Sequence, residues 1–322
     1  MTPNLLTILA PALTAFVIGV LLTPVVTHFL YKHKVWKKQG GKTALNGKAA
    51  EVFNQLKGDD ETKTPRMGGI VIWGSVLLTV VIMYLLAQFY PKHFLAQFDF
   101  ISRSQTLIPF AALLTGAVIG FLNDFYDVTH SGKGLSLKVR LVLITALAAT
   151  AGWWFYTKLG VVSVNIPFDG PLYLGVLIIP FFVLLTWSLY ARGVIDGIDG
   201  LSGGVFASVF GAYMGIAFVQ EQFQLAAFCA TIVGAILAFL WYNVPPARFW
   251  MTETGSMSLT LTLATIAFMT DSLSDGHGIS LLLVAGLPLV ITVLSNIIQM
   301  SYRKIFGVKF FKIAPLHHHF EA

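Results

Sequence analysis

Long apolar segments separated by short polar ones make up most of the chain. Crossing a hydrocarbon core of about 30 Å takes roughly 20 mostly apolar residues in a helix. The segments lack the alternation of apolar and polar residues that a membrane-spanning strand requires, so we predict helices. The pattern predicts an all-α polytopic membrane protein, folded as one transmembrane domain over residues 1–322, with about nine spans. The predicted spans are Asn4–Leu30, Gly68–Tyr90, Gln105–Leu122, Leu137–Tyr156, Leu172–Tyr190, Ser202–Val219, Gln224–Tyr242, Ser256–Thr270 and Ile279–Met300.

The composition excludes most other classes of protein. Hydrophobic residues make up 56% of the 322 positions and charged residues only 11%, whereas a soluble globular protein carries about 25% charged residues. The same figures exclude a disordered chain and a collagen-like fibre. The single cysteine, Cys229, lies inside an apolar segment, so an intrachain disulfide is excluded as well.

The basic residues predict the orientation of the chain in the membrane. With Lys138 and Arg140 counted as helix-end residues, all but three of the 21 lysines and arginines fall on one side. Basic loops stay in the cytoplasm, so the amino terminus is predicted outside and the carboxyl terminus in the cytoplasm. The net charge of +6 follows from this topology, and no nucleic-acid partner is expected. The cytoplasmic loops are Tyr31–Met67, Asn123–Ser136, Ala191–Leu201, Asn243–Gly255 and the tail from Ser301.

Two of these cytoplasmic segments stand out. The loop over residues 31–67 is long and strongly basic, and apolar residues from Ala49 to Leu56 recur at helical spacing, which predicts a short helix on the membrane surface. The tail over residues 301–322 carries three consecutive histidines, His317–His319. Zinc is a weak hypothesis for them, because consecutive side chains point in different directions and no cysteine assists. Contact with a pyrophosphate is the preferred interpretation.

The third predicted span ends in an acidic segment, Gly120–Asp127. Asp124 lies where hydrocarbon meets water, and an ionisable group there is costly unless it is paired, hydrated or bound to a metal. A functional carboxylate and a residue that merely marks the edge of the membrane both fit this position. Lys133 and Lys138 follow, and either could contact a phosphate, although a solvated or snorkelling lysine is the simpler interpretation.

A second acidic segment, Arg192–Gly204, is rich in glycine. Asp196 and Asp199 are three residues apart, so on a helix both would face the same cavity. Glycines let the backbone approach a ligand closely, and hard divalent cations prefer carboxylate oxygens. Alternatively, Asp199 simply caps the sixth span.

A third polar segment, Asn243–Ser256, precedes the eighth predicted span. Glu253 stands just before that span, and the start of a helix favours anions. Glu253 and Ser256 could equally form a capping arrangement without any ligand. Pro288, inside the ninth predicted span, should remove a backbone hydrogen bond and bend that helix, which could open a groove toward lipid.

Taken together, these segments resemble the polyprenyl-phosphate N-acetylhexosamine-1-phosphate transferase superfamily, and the histidine segment is similar to its muramoyl-pentapeptide branch. The family couples a UDP-linked sugar to undecaprenyl phosphate at the cytoplasmic face of the bacterial inner membrane, giving lipid I and UMP with Mg²⁺. The segments that carry the resemblance are Thr64–Gly69, Gly120–Asp124, Asp196–Gly200, Glu253–Ser256 and Ala314–Glu321.

The resemblance implies roles for particular residues. Asp124, Asp196 and Glu253 would be catalytic, and Glu253 with Asp196 would hold Mg²⁺. The expected partners are UDP-N-acetylmuramoyl-pentapeptide, undecaprenyl phosphate and membrane lipids, and a homodimer is left open. The expected substrate-binding residues are Asn123, Lys133, Asp199, Asn243, His317, His318 and His319.

The chain also departs from the family at several positions. Asn123 replaces the first carboxylate of an acidic pair, Glu253 replaces an aspartate, and Gly193 replaces an asparagine. Arg66 stands where the family has a small hydroxyl residue. The family continues into a tenth span after the histidines, whereas this sequence ends at Ala322. These departures bear on catalytic efficiency more than on the fold.

Three alternatives stay open from the sequence. A related transferase could use another UDP-amino sugar, and a non-catalytic paralogue could bind lipid or nucleotide as a regulator. A secondary transporter is disfavoured, because transporters place their sites near the membrane midplane between repeated halves. Here the carboxylates gather at one edge and no repeat is evident.

Overall fold

A computed structural model describes residues 5–38, 62–102, 104–130, 134–190, 198–272, 276–312 and 314–321. Within these ranges the fold is almost entirely helical, apart from one short hairpin. The surface helix predicted near residues 49–56 lies outside the described residues. The helices are α1 (Leu5–Lys32), α2 (Gly69–Phe89), α3 (Leu107–Thr129), α4 (Leu137–Lys158), α5 (Ile178–Tyr190), α6 (Leu201–Val219), α7 (Phe223–Asn243), α8 (Thr252–Ser272), α9 (Gly278–Ala285), α10 (Leu287–Phe306) and α11 (Leu316–Glu321).

The chain is a multi-pass membrane protein. In the described part of the chain, six helices are long and apolar enough to cross a membrane, namely α1, α2, α3, α4, α6 and α7. The consecutive helices α9 and α10 make a seventh if they count as one span. The number of nine spans and their orientation stay predictions.

Helix α8 forms the centre of the bundle. All of its described residues after Glu253 are buried, and its largest contact is with α3. It is rich in threonine and serine, whose hydroxyls bond to the preceding turn of the same helix: Thr262 donates to the Ser258 carbonyl at 2.7 Å and Thr270 to the Ile266 carbonyl at 2.9 Å. The hydroxyls are thereby satisfied without solvent, which permits a polar helix to lie inside an apolar bundle.

A short hairpin corrects the predicted start of the fifth span. Leu172, where that span was expected to begin, lies in strand β2 (Gly170–Tyr173), which pairs antiparallel with β1 (Ser163–Ile166). The chain reverses through Phe168 and Gly170, both in the left-handed region with φ of 69° and 86°. Because the hairpin uses these apolar residues, α5 begins only at Ile178.

The last predicted span is broken, as Pro288 led us to expect, but the break lies just before the proline. Helices α9 and α10 meet at Gly286 with a bend of 74°. Pro288 stands at the start of α10, where a missing N–H costs nothing because the first helical residues have no intrahelical acceptor.

Glycines allow three helices to meet where α8 begins. A Cβ at Gly120 of α3 would overlap the backbone carbonyl of Glu253, and a Cβ at Gly69 of α2 would overlap the backbone of Gly255. These glycines therefore let the polar end of α3 and the start of α2 approach the first turn of α8.

We expect Gly120→Ala to destabilise the protein by about 2 kcal/mol or more, because neither helix backbone can yield to the added methyl group. Thermal unfolding in detergent would measure the loss. Gly211→Ala is the matched control, since a Cβ there meets open space and alanine favours a helix over glycine by about 0.5–1 kcal/mol. Equal melting temperatures for the two variants would contradict the proposed close contact.

Candidate active site

The carboxylate of Asp124 reaches from α3 to the start of α8. Its Oδ2 accepts from the Thr252 hydroxyl at 2.5 Å, the Thr254 hydroxyl at 2.6 Å and the Thr254 N–H at 2.8 Å. Asp124 is fully buried. The first N–H groups of a helix have no partner in the helix, and this end carries a partial positive charge. Asp124 thus satisfies and neutralises the start of α8 from a neighbouring helix.

A second set of bonds fixes the loop before α2 beside the same helix end. The Met67 N–H donates to the Thr252 hydroxyl at 3.0 Å, so this hydroxyl links the loop to Asp124. The backbone of Trp250 donates to the Pro65 carbonyl at 2.9 Å and accepts from the Gly68 N–H at 2.8 Å. Met67 and Thr252 both have positive φ, 65° and 51°. A non-glycine residue in this conformation is strained, and such strain gathers at functional sites.

One arginine–carboxylate pair lies on the loop side of this cluster. Arg66 Nη2 is 3.1 Å from Asp127 Oδ2, and the two side chains are 15% and 10% exposed. Asp127 follows Asp124 by three residues, so the two carboxylates share one face of α3.

A second pair joins α4 to α8. Arg140 Nη1 is 2.8 Å from Glu253 Oε1, and each side chain is 23% exposed. The eighth span was predicted to begin at Ser256, but α8 begins at Thr252, so Glu253 belongs to its first turn rather than to the preceding loop. An acidic residue is favourable there, because the helix N-terminus is partially positive.

Asn123 lies between Asp124 and the start of α4. Its Oδ1 accepts from the Leu135 N–H at 3.1 Å, and its Nδ2 is 3.5 Å from Asp124 Oδ1. Asn123 therefore anchors the connection from α3 to α4 directly beside the buried carboxylate.

Asp199 and Asn243 both hold the loop that leads into α8. Asp199 accepts from the Ala247 N–H and from the Trp250 indole N–H, each at 3.1 Å. Asn243 accepts from the Gly200 N–H at 3.0 Å and donates to the Phe249 carbonyl at 2.8 Å. The Asp199 carboxylate is thus directed to this loop. The capping alternative required it to bind the start of α6, which has no side-chain cap hydrogen bond.

Other predicted site residues are described only in part or not at all. Asp196 and Lys133 lie outside the described residues. His317 and His318 belong to α11, but their side chains are outside the described part of the structure. His319 accepts from the Lys312 N–H at 3.2 Å, and the Leu316 N–H donates to Ser295 of α10 at 3.0 Å.

The fit of a divalent cation depends on Glu253. Among the described residues, no three His, Cys, Asp or Glu side chains gather as a ready metal site. Mg²⁺ does not need such a group, because one or two carboxylates, substrate phosphates and water suffice. Asp124 is occupied by three donors and Asp127 by Arg66, and Glu253 already faces a cation, Arg140. Glu253 is paired with an arginine just as Asp127 is, so a divalent ion completed by phosphate oxygens would have to share the Glu253 carboxylate with Arg140.

The sequence reasoning missed several residues of the site. The hydroxyls of Thr252 and Thr254 were not assigned, Asp127 was not singled out, and Arg140 was interpreted only as a helix-end residue. The spacing of three residues from Asp124 was the signal that could have identified Asp127. The two arginine pairs join residues far apart in sequence, which no spacing rule detects.

Comparison with known proteins identifies the family. The model of glycosyl transferase family 4 matches residues 106–271, from the start of α3 to the end of α8. The match covers just over half of the chain. The chain therefore belongs to glycosyl transferase family 4. A phospho-N-acetylmuramoyl-pentapeptide-transferase of Bacillus cytotoxicus is 34% identical over 320 residues, which covers 98% of this chain and 89% of the relative.

Two further relatives carry the same name. The one from Chloroflexus aggregans is 32% identical and covers 96% of this chain and 80% of the relative. The one from Bacillus thuringiensis is 33% identical, with coverage of 98% and 89%. Within the family, the chain thus falls among the phospho-N-acetylmuramoyl-pentapeptide transferases, which confirms the resemblance found in its motifs.

Proposed function

We propose that the protein transfers phospho-N-acetylmuramoyl-pentapeptide from its UDP-linked donor to undecaprenyl phosphate, giving lipid I and UMP. The proposed location is the cytoplasmic face of the bacterial inner membrane. The observation that carries this is the buried Asp124 carboxylate at the start of α8, between two arginine–carboxylate pairs. The similarity over nearly the full length to transferases of that name supports the substrates.

The reaction must bring together two anionic substrates, so positive charge and positioning supply most of the rate. An oxygen of the lipid phosphate attacks the sugar-linked phosphorus of the donor, a new P–O bond forms, and the bond to UMP breaks. We prefer this direct attack to a covalent aspartyl intermediate. Arg66 and Arg140 are proposed to offset negative charge at this point, because each keeps an N–H donor beyond the one that contacts its carboxylate partner.

Asp124 is proposed to act on the lipid phosphate by orienting the groups that meet it. Its Oδ2 holds Thr252 and Thr254, and full burial favours this role over acceptance of a proton from the substrate. Asn123 adjoins Asp124 and is proposed to help position the same substrate.

Glu253, with Asp196, is proposed to hold Mg²⁺. When bound, the ion would neutralise phosphate charge and favour departure of UMP. Asp199 and Asn243 are proposed to line the nucleotide pocket, supported by their bonds to the loop before α8. For the pyrophosphate we propose the tail histidines His317, His318 and His319, with Lys133.

The proposed topology has nine spans with a cytoplasmic active site. The placement of the site on one side of the membrane is supported by the position of its residues at one end of the bundle: Asp124 is near the end of α3, while Arg140 and Glu253 lie in the first turns of α4 and α8. The exposed apolar residues of α1, such as Leu9 and Leu13, would face lipid or a second copy of the chain. A homodimer stays a prediction.

Purified protein, undecaprenyl phosphate, UDP-N-acetylmuramoyl-pentapeptide and Mg²⁺ should release UMP with time. We expect chelation of the metal with EDTA to stop release and added Mg²⁺ to restore it, because phosphate charge is then no longer neutralised. Other UDP-amino sugars serve as control donors and should react much more slowly. Binding of both substrates without UMP formation would contradict the proposal and favour a non-catalytic paralogue.

A further inference from the structure

Arg66 and Asp127 form an ion pair to which the proposed function assigns no particular substrate contact. The pair is mostly buried, with the two side chains 15% and 10% exposed. Removing two charges from water is costly, and a single contact rarely offsets the cost unless further hydrogen bonds are made. A buried pair at this position therefore calls for another partner.

The guanidinium of Arg66 has an unused hydrogen-bond donor. Its Nε is buried and finds no acceptor among the described residues. Arginine carries five N–H donors in a planar fork that matches the oxygens of a phosphate. Asp127 contacts only Nη2 of the guanidinium. The Nε–H therefore remains as a donor for an anionic group.

The position of Arg66 is fixed from both sides. Its own N–H donates to the Val35 carbonyl at 2.7 Å, and the adjacent Pro65 carbonyl accepts from Trp250. Its charge acts on Asp124, one helical turn from Asp127. A rigidly held cation beside the buried carboxylate is suited to receive an anion at that point, because little conformational entropy is lost on binding.

We infer that Arg66 binds a phosphate group of one of the two substrates and that Asp127 orients its guanidinium. The inference rests on the proposed function.

The test compares Arg66→Gln with Asp127→Asn and Arg66→Lys. We expect Arg66→Gln to raise the KM for one substrate roughly 10- to 100-fold, the worth of a hydrogen bond to a charged group, with a smaller change in kcat. Asp127→Asn keeps the cation and should raise the same KM only a fewfold. Arg66→Lys should recover part of the loss, because lysine restores the charge but not the planar fork.

Titrating each substrate separately identifies the source of the phosphate. A rise only in the KM for undecaprenyl phosphate assigns the lipid phosphate, and a rise only in the KM for the UDP-linked donor assigns the pyrophosphate. Arg303→Gln, at an exposed arginine of α10, is the matched control and should leave both values unchanged.

Two outcomes would overturn the inference. One is an unchanged KM for both substrates in a folded Arg66→Gln variant. The other is an equal loss of thermal stability in Arg66→Gln and Asp127→Asn without any change in KM, which would make the pair purely structural. If the unmodified protein releases no UMP, the proposed function fails by itself. Equilibrium binding of each substrate to Arg66→Gln and to the unmodified protein then tests Arg66 independently.

Discussion

An Asp124→Asn variant is expected to release UMP at least about 100-fold more slowly than the unmodified protein. The amide keeps the shape of the side chain but removes the negative charge that receives two threonine hydroxyls and the Thr254 N–H. Hydrogen bonds to a charged group contribute about 1.5–3 kcal/mol each, so the start of α8 should also lose order. UMP release and thermal unfolding in detergent are the two measurements.

Thr254 provides the control for this prediction. Thr254→Ser keeps the hydroxyl that contacts Asp124, whereas Thr254→Val keeps the volume and removes the donor. We expect the serine variant to stay within about threefold of normal activity and the valine variant to lose about tenfold, the value of one charge-assisted bond. Normal activity of Asp124→Asn would remove Asp124 from the mechanism.

Replacing Glu253 by glutamine is expected to lower Mg²⁺-dependent UMP release by about 1000-fold. The change removes a proposed metal ligand and also leaves the Arg140 guanidinium without the carboxylate at 2.8 Å. Initial rates measured against Mg²⁺ concentration would separate the two effects. Loss of the metal ligand requires more Mg²⁺ for half-maximal rate, whereas loss of the ion pair alone lowers the rate at every Mg²⁺ concentration.

Glu253→Asp is the matched variant, because it keeps the charge and shortens the side chain by one methylene. Because the negative charge beside Arg140 is kept, we expect at least a third of normal activity. Full activity in Glu253→Gln would contradict the metal assignment, and an inactive aspartate variant would show that the reach to Arg140 matters more than the charge.

The apolar pattern was sufficient to predict most of the helices. Long apolar segments predicted α1, α2, α4, α6 and α7 close to their observed bounds, because hydrocarbon requires a continuous apolar stretch of fixed length. The predicted end of α3 at Leu122 was wrong: the helix continues through the acidic segment to Thr129, because those polar side chains find partners in neighbouring elements. The hairpin before α5 was missed because its strands are only four residues long, and Leu172 and Tyr173 lie next to the apolar segment that continues into α5. The break at Gly286 was anticipated from Pro288, although its position differs slightly.

Among the acidic residues described at the site, the sequence pointed to Asp124 and Glu253 but not to Asp127, and it did not predict their contacts. Asp124 was predicted because an ionisable group at the edge of the membrane is costly unless it is paired, hydrated or bound to a metal. Its partners Thr252 and Thr254 lie far along the chain, and their meeting depends on the close approach at Gly120. Ion pairs such as Arg66–Asp127 likewise follow from the tertiary fold, which sequence spacing does not encode.

The enclosed position of α8 has a consequence for how the chain is made. During synthesis, a segment passes from the translocon into lipid according to its apolar character, and hydroxyl-rich α8 is poorly suited to enter alone. Its main neighbour, α3, is synthesised earlier and carries the face against which α8 packs. The order of the helices in the chain thus lets α8 insert against a helix that is already in the membrane. We expect a chain without α3 to fail to insert α8 and to be degraded.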